Sequence, residues 1–310
     1  RLIGMNTLQG DARLLAGFWL GVLGVLIFAI TLPATRLATG TDAAPQLSPA
    51  FVTAGRAALA GLLSAAFLLL TRAAWPQRAH WRLLGLAVAG NVIGFPVLLA
   101  LALRSVTATH AAVIMALGPL ATAVAVALMM GQRARPAFWA CAVAGSALVM
   151  LFAWLRAQGA GGFGLAWADA LLIGAVIAAS VGYVAGAQVS PVLGAEQTIC
   201  WICALALPLS LPAAWWLWPA DVGAIRPAAW AGFVYVGVFS MWAGFFAWYR
   251  GLDWGGALRV SQVQLLQPFL SMLFAVPLLG ERLDAMSIGF ALAVVATVFL
   301  SRRLARPVAN

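Results

Sequence analysis

The chain has 310 residues, of which 64% are hydrophobic and only 8% charged, and its mean hydropathy is +1.01. A water-soluble domain covers itself with charged residues, roughly a quarter of its sequence, so these values exclude one and place the chain in a membrane. The net charge of +10 comes from arginine alone, since lysine is absent. Those arginines stand singly or in pairs between apolar runs, whereas a nucleic-acid surface clusters them with interleaved aromatics. Flanking charges that fix membrane topology explain the same excess, and no nucleic-acid partner is expected.

A helix needs about 20 apolar residues to cross the hydrocarbon core. Runs between charged or Pro/Gly-rich breaks predict ten such helices, near 14–37, 49–71, 80–104, 107–131, 136–155, 164–188, 195–218, 228–250, 256–280 and 284–304. The expected class is an all-α integral membrane protein embedded in a lipid bilayer. No cleavable signal peptide is expected, because the first apolar run is too long for a signal core. With ten spans both ends share one side. Arg1, Arg13, Arg72, Arg78, Arg82, Arg133, Arg135, Arg250, Arg259, Arg302, Arg303 and Arg306 fall on that side, against Arg36, Arg104, Arg156, Arg226 and Arg282 opposite. Positive charge collects in the cytoplasm, so both termini are expected there, with the protein in a bacterial inner membrane.

An internal repeat orders these helices. Trp81 matches Trp230, Pro119 matches Pro268, and Gly131-Gln132-Arg133 matches Gly280-Glu281-Arg282, all at an offset of 149 residues. Trp19 and Trp167 align with a one-residue shift. Five helices per half is an odd number, which predicts halves inserted in opposite senses, the inverted repeat of secondary transporters. The expected organisation is a cytoplasmic segment 1–13, a first five-helix repeat 14–155, a periplasmic loop 156–163, a second repeat 164–304 and a cytoplasmic tail 305–310.

The segments around Pro119 (ALGPLATAVAVALMMGQR), Pro268 (LLQPFLSMLFAVPLLGERL), Arg56 (SPAFVTAGRAALAG) and the sixth helix (AWADALLIGAVIAAS) resemble the repeated signature of the EamA family of the drug/metabolite transporter superfamily. Within that superfamily the chain is most similar to YddG-type exporters of aromatic and other amino acids. It departs from the pattern in carrying Gln132 where glutamate is common. The resemblance implies ten helices in two inverted halves, a central cavity lined by helices 1, 3, 4, 6, 8 and 9, and helices 5 and 10 at the periphery.

Several residues are candidates for contact with a substrate. Tyr235, Phe239, Trp242, Phe246 and Tyr249 recur at helical spacing and form one aromatic face of the eighth helix. Ser261, Gln264, Gln267 and Ser271 lie within about 60° of one direction on the ninth. Uncharged amides are costly in hydrocarbon, so that face is expected to point inward, either to bind a carboxylate or amine or to bond neighbouring helices. Met115 lies on the matching face of helix 4. Asn91, Ser180 and Tyr183 are further inward candidates; Pro268, the repeat partner of Pro119, frees a backbone carbonyl one turn earlier.

His110 reads as a gate or a satisfied interfacial group. Arg56 reads as a side chain that snorkels to the periplasmic surface or binds a carboxylate. Cys200 and Cys203 read as buried thiols, since no further ligands accompany them, and neither a metal nor another cofactor is expected. No acid maps to mid-membrane, which disfavours cation efflux through a membrane carboxylate. An intramembrane enzyme would need a nucleophile and base, and only His80 and His110 are present, both near helix ends. The expected function is a monomeric carrier exporting amino acids, aromatic and other neutral ones, by alternating access. The alternatives are the same fold carrying another metabolite, nucleobase or drug and, more remotely, an intramembrane enzyme or a channel.

Overall fold

The computed structural model describes residues 2–131, 136–159, 166–255 and 261–304. These residues are helical and connected by short turns, with one isolated bridge between Gly40 and Pro45. In hydrocarbon every backbone N–H and C=O must bond within the chain, which an apolar run achieves only as helix.

Helix α1 comprises Leu2–Ala29 and, past a turn at Ile30, Thr31–Thr39. Then follow α2 (Pro49–Leu70), α3 (Arg78–Ser105), α4 (Ala108–Met115 and Gly118–Met129), α5 (Pro136–Gly159), α6 (Trp167–Leu193) and α7 (Ala195–Trp216). Helix α8 joins Pro227–Val234, Tyr235–Ala243 and Gly244–Gly255; α9 opens as a 3-10 turn at Ser261–Leu266 and continues as Gln267–Leu279; α10 is Ala285–Leu304.

The helix ends follow their sequence. Ser48 accepts from the Phe51 N–H ahead of Pro49, and Thr107 accepts from the His110 N–H, each an N-cap that satisfies an orphan donor. Gly131 and Gly280, partners in the repeat, both adopt the left-handed conformation that ends a helix, with φ of 65° and 68°. Seven helical runs among the described residues are long and apolar enough to cross a membrane. The apolar helices Trp139–Phe152, Gln267–Leu279 and Ala285–Thr297 are shorter. In α9 the reason is local: its first six residues are wound as 3-10 helix, leaving an α-helical stretch of 13.

Packing respects the repeat. Helix α1 lies along α8 as α6 lies along α3, and α1 meets α9 as α6 meets α4, while α2–α7, α4–α9 and α5–α10 pair across the halves. Exchanging the first five helices with the last five leaves this pattern unchanged. The closest crossings use small residues, as helix association in lipid requires. Gly17 and Gly21 on α1 face Gly251 and Gly255 on α8, so closely that a Cβ on Gly251 would stand 2.6 Å from the Gly21 nitrogen. On the other side, a Cβ on Gly90 of α3 would stand 2.9 Å from the Gly182 Cα of α6. Both α3 and α8 contain a π-helical segment, Val88–Gly94 and Tyr235–Ala243, which overlap when shifted by the repeat offset. Such segments are rare and concentrate at functional sites.

Contacts define two ends of the bundle. Arg13 and Arg250 both stack on Trp254, Arg250 pairs with Glu196 and Trp75 packs on Trp201 at the terminal end. At the far end, residues near 36–48, 103–110, 166–169, 226 and 281 bond to one another, as detailed below.

Candidate functional site

A cavity of about 360 Å³ lies along the bundle axis between the two halves. It runs from Thr31, Leu32 and Ala112 toward the far end down to Met130, Ile199 and Tyr249 toward the terminal end. Its lining repeats with the sequence. Asn91 and Val92 of α3 correspond to Ser240 and Met241 of α8, and Met115, Gly118 and Thr122 of α4 correspond to Gln264, Gln267 and Ser271 of α9; all of them line it.

Among the expected site residues, Asn91, Met115, Ser180, Tyr183, Tyr249, Gln264, Gln267 and Ser271 converge on this cavity. Their hydroxyls are not all free for a substrate. Ser180 accepts from Thr122 at 3.2 Å. The Ser271 hydroxyl donates to the Ala29 carbonyl at 2.8 Å. That carbonyl is available because Pro33, four residues on, has no N–H to give it. Ser271 thus ties α9 to the break in α1. Ser271→Ala leaves a buried acceptor unsatisfied and is expected to cost about 1–2 kcal/mol, read as a lowered melting temperature in detergent. The side chain of Ser261 lies outside the described residues, as do Gln132 and the side chain of Pro119.

The aromatic face expected on α8 does not form the cavity wall, apart from Tyr249. The Tyr235 hydroxyl donates to the Ile27 carbonyl at 3.1 Å and its ring stacks on Phe239, itself 45% exposed. Trp242 packs on Phe246, which meets Phe67 of α2 edge-on. The neighbouring face, Met241, Phe245 and Trp248, lines the cavity instead. Phe28 of α1 completes this wall, with ring centroids 5.0 Å from Phe245 and 6.4 Å from Trp248. Both faces carry large apolar side chains at i, i+4, i+7 spacing, Tyr235, Phe239 and Trp242 on one and Met241, Phe245 and Trp248 on the other. Periodicity detects such a face without saying what it looks at, and the π segment shifts the register of the ladder further.

Arg56 corrects the snorkelling alternative. It is 3% exposed and lines the cavity from α2, a helix outside the expected lining set. Ile199 of α7 and Val295 of α10 also contribute. One Arg56 nitrogen donates to the Ser240 hydroxyl at 3.3 Å, and that hydroxyl is already bonded to Thr31 at 2.8 Å. Arg56 is the one charged side chain among the described lining residues. Thr31, Ser240, Phe28, Phe245 and Trp248 escaped the sequence reading; the spacing of Thr31, Thr35 and Thr39 was the available signal for the first.

His110 lies off the cavity, in the seal at the far end. It is buried, with Nε2 at 2.6 Å from the Asp169 carboxylate and its ring against Phe152. Asp169 also accepts from the Ala166 N–H at the start of α6. Beside this pair, Glu281 accepts from the Ala108 and Thr109 N–H groups at 2.8 and 2.9 Å and from the Thr109 hydroxyl at 2.7 Å. A carboxylate on a helix N-terminus is stabilised by those orphan donors and the helix dipole. Arg36 approaches the same carboxylate at 3.6 Å and donates to the Leu103 carbonyl. Asp42 bonds Ser105 and Arg104, and Gln46 accepts from the Arg226 N–H. Below them Ala108 and Ala111–Ile114 are wholly buried. The far end is sealed by polar clamps over this buried apolar layer.

A bundle all-helical among the described residues, with several membrane-length apolar helices and an axial cavity of about 360 Å³ between duplicated halves, defines a multi-pass membrane protein with room for a small cargo. Residues 15–155 and 166–303 each match the EamA-like transporter family, so the chain carries two copies of that domain and belongs to this family. It is 42% identical over 286 residues to the "Uncharacterized transporter YdeK" of Bacillus subtilis (strain 168), covering 92% of this chain and 96% of that one. A crystal structure 21% identical in sequence superposes with a TM-score of 0.63 over 94% of this chain and 97% of the other, a likeness of fold. Family and relative point to a transporter rather than an enzyme.

Proposed function

We propose that the protein is a secondary transporter that exports amino acids, aromatic and other neutral ones, across the inner membrane by alternating access. In this reading ten helices span the bilayer in two inverted five-helix halves, 14–155 and 164–304, with both termini cytoplasmic and the protein acting as a monomer. The exchange symmetry of the helix contacts supports the halves, and the arginine asymmetry supports the orientation. The far-end seal is then the periplasmic gate in its closed state.

The observation that carries the cargo assignment is the make-up of the cavity: an aromatic wall of Phe28, Phe245 and Trp248 facing neutral amides of Asn91, Gln264 and Gln267, with a single cation beside them. A small molecule with one anionic group and an apolar side chain matches that surface.

Proteoliposomes loaded with labelled phenylalanine, threonine and methionine test the reading. Efflux faster than from empty liposomes is expected for at least one of the three, and equal rates for all would remove it. Trp248→Ala removes about 1.5–3 kcal/mol of apolar contact from the wall and is expected to weaken apparent phenylalanine affinity by at least tenfold. Trp242→Ala, on the neighbouring face of α8 that packs on Phe246 rather than lining the cavity, is expected to leave it within about threefold.

A further inference from the structure

We infer that Arg56 is a carboxylate seat, so that the transporter recognises its cargo by the acid group and takes hydroxy acids as readily as amino acids. The inference rests on the small-molecule transport reading but not on amino acids being the cargo. Arg56 stands 3% exposed in the second helix, at the edge of the central cavity. A guanidinium carries five N–H donors, and here one weak bond at 3.3 Å to Ser240 is its hydrogen bond. Its Nε and Nη1 are buried without a partner, and no carboxylate pairs with it among the described residues.

A buried, uncompensated cation is strongly unfavourable in a membrane bundle and is a mark of function. The group that satisfies it is an anion entering the cavity. Guanidinium geometry suits the two oxygens of a carboxylate. A phosphate dianion would call for a second cation, and the described lining offers none.

The remaining end of the cargo meets neutral groups. No acid lines the cavity among the described residues, so an ammonium finds no counter-charge there. What it finds is the Asn91 carbonyl oxygen, buried and without a partner, together with Gln264 and Gln267. An amide oxygen accepts from a hydroxyl as well as from an amine. The amine is therefore replaceable, and the carboxylate is not.

The test uses purified full-length protein in detergent and three probes, phenylalanine, phenyllactate and phenylethylamine, with binding followed by calorimetry and by the melting temperature. Both acids are expected to bind within about threefold of each other and to raise the melting temperature, as any ligand of the folded state does. The amine is expected to bind at least tenfold more weakly. Added chloride or inorganic phosphate at equal concentration should leave the melting temperature unchanged; a rise with either overturns the assignment to a carboxylate.

Arg56→Met is expected to lose about 100-fold in affinity for both acids while the unliganded protein melts higher, because an unpaired buried charge has been removed. A purely structural arginine would give the reverse, a lower melting temperature with acid affinity retained. Amine binding as tight as the acids, or no acid binding at all by the wild type, discards the proposal, and neither readout needs the variant. Phenyllactate binding without phenylalanine binding overturns the equivalence of the two acids and the amino-acid reading together, leaving only the carboxylate contact at Arg56.

Discussion

Gly251→Leu is expected to abolish the folded bundle, lowering stability by at least about 3 kcal/mol and replacing a single detergent-solubilised species with aggregate. The cause is backbone against backbone. A Cβ on Gly251 would stand 2.6 Å from the Gly21 nitrogen, 2.9 Å from its Cα and 3.0 Å from the Gly17 carbonyl oxygen. None of these is a side chain that can rotate away, so α1 and α8 must separate along their whole seam. That seam also holds Gly24 against Trp248 and the Tyr235–Ile27 bond, so one side of the cavity opens with it. Gly289→Leu is the control, because a Cβ there meets nothing within 4 Å. Replacing an exposed helical glycine in that position is expected to be neutral or to stabilise by up to about 1 kcal/mol. Size-exclusion profiles and melting curves of the two variants decide the matter; a Gly251→Leu protein that stays monodisperse with an unchanged melting temperature would refute the close-crossing account.

Glu281→Ala is expected to release the far-end seal. The carboxylate receives three hydrogen bonds from the first turn of α4 and faces Arg36. Hydrogen bonds to a charged acceptor contribute about 1.5–3 kcal/mol each, and removing one partner of a buried charge pair costs about 3–5 kcal/mol. Part of this loss also falls on other conformations, so about 3 kcal/mol is the expected change in favour of the unsealed state. That is roughly a 100-fold shift in population. A cysteine placed at Ala112, which lines the upper cavity and is fully buried, reports the change. Its labelling by an impermeant thiol reagent from the far side is expected to accelerate about 100-fold in the Glu281→Ala background. An unchanged rate would mean that the buried apolar layer at Ala111–Ile114 seals the end without the clamp.

Much of the fold is legible in the sequence because lipid imposes one rule on every apolar run. The predicted helix at 49–71 is observed as Pro49–Leu70, and that at 228–250 falls within α8. The repeat was legible because its markers, Pro119 with Pro268 and Gly131 with Gly280, do backbone work that few residues can replace. Each proline starts a resumed helix and each glycine ends one in the left-handed region. The inward face of α9 was legible as well, since amides in hydrocarbon have nowhere else to point. Glu281 was visible in its motif, yet its role was not, because its partners at Ala108 and Thr109 lie 173 and 172 residues away.

By itself, then, the sequence determined membrane residence, the helical runs, the 149-residue duplication and the polar face of α9. All of these follow from local chemistry: hydropathy, backbone satisfaction and the conformational limits of proline and glycine. Only the tertiary structure decided which aromatic row of α8 faces the cavity, that Arg56 is enclosed rather than snorkelling, and that His110 pairs with Asp169 in the far-end seal. Each depends on how one helix is rotated against another. That rotation is set by backbone contact at Gly17, Gly21 and Gly251 and by the π segment in α8, whose consequences no single helical wheel records.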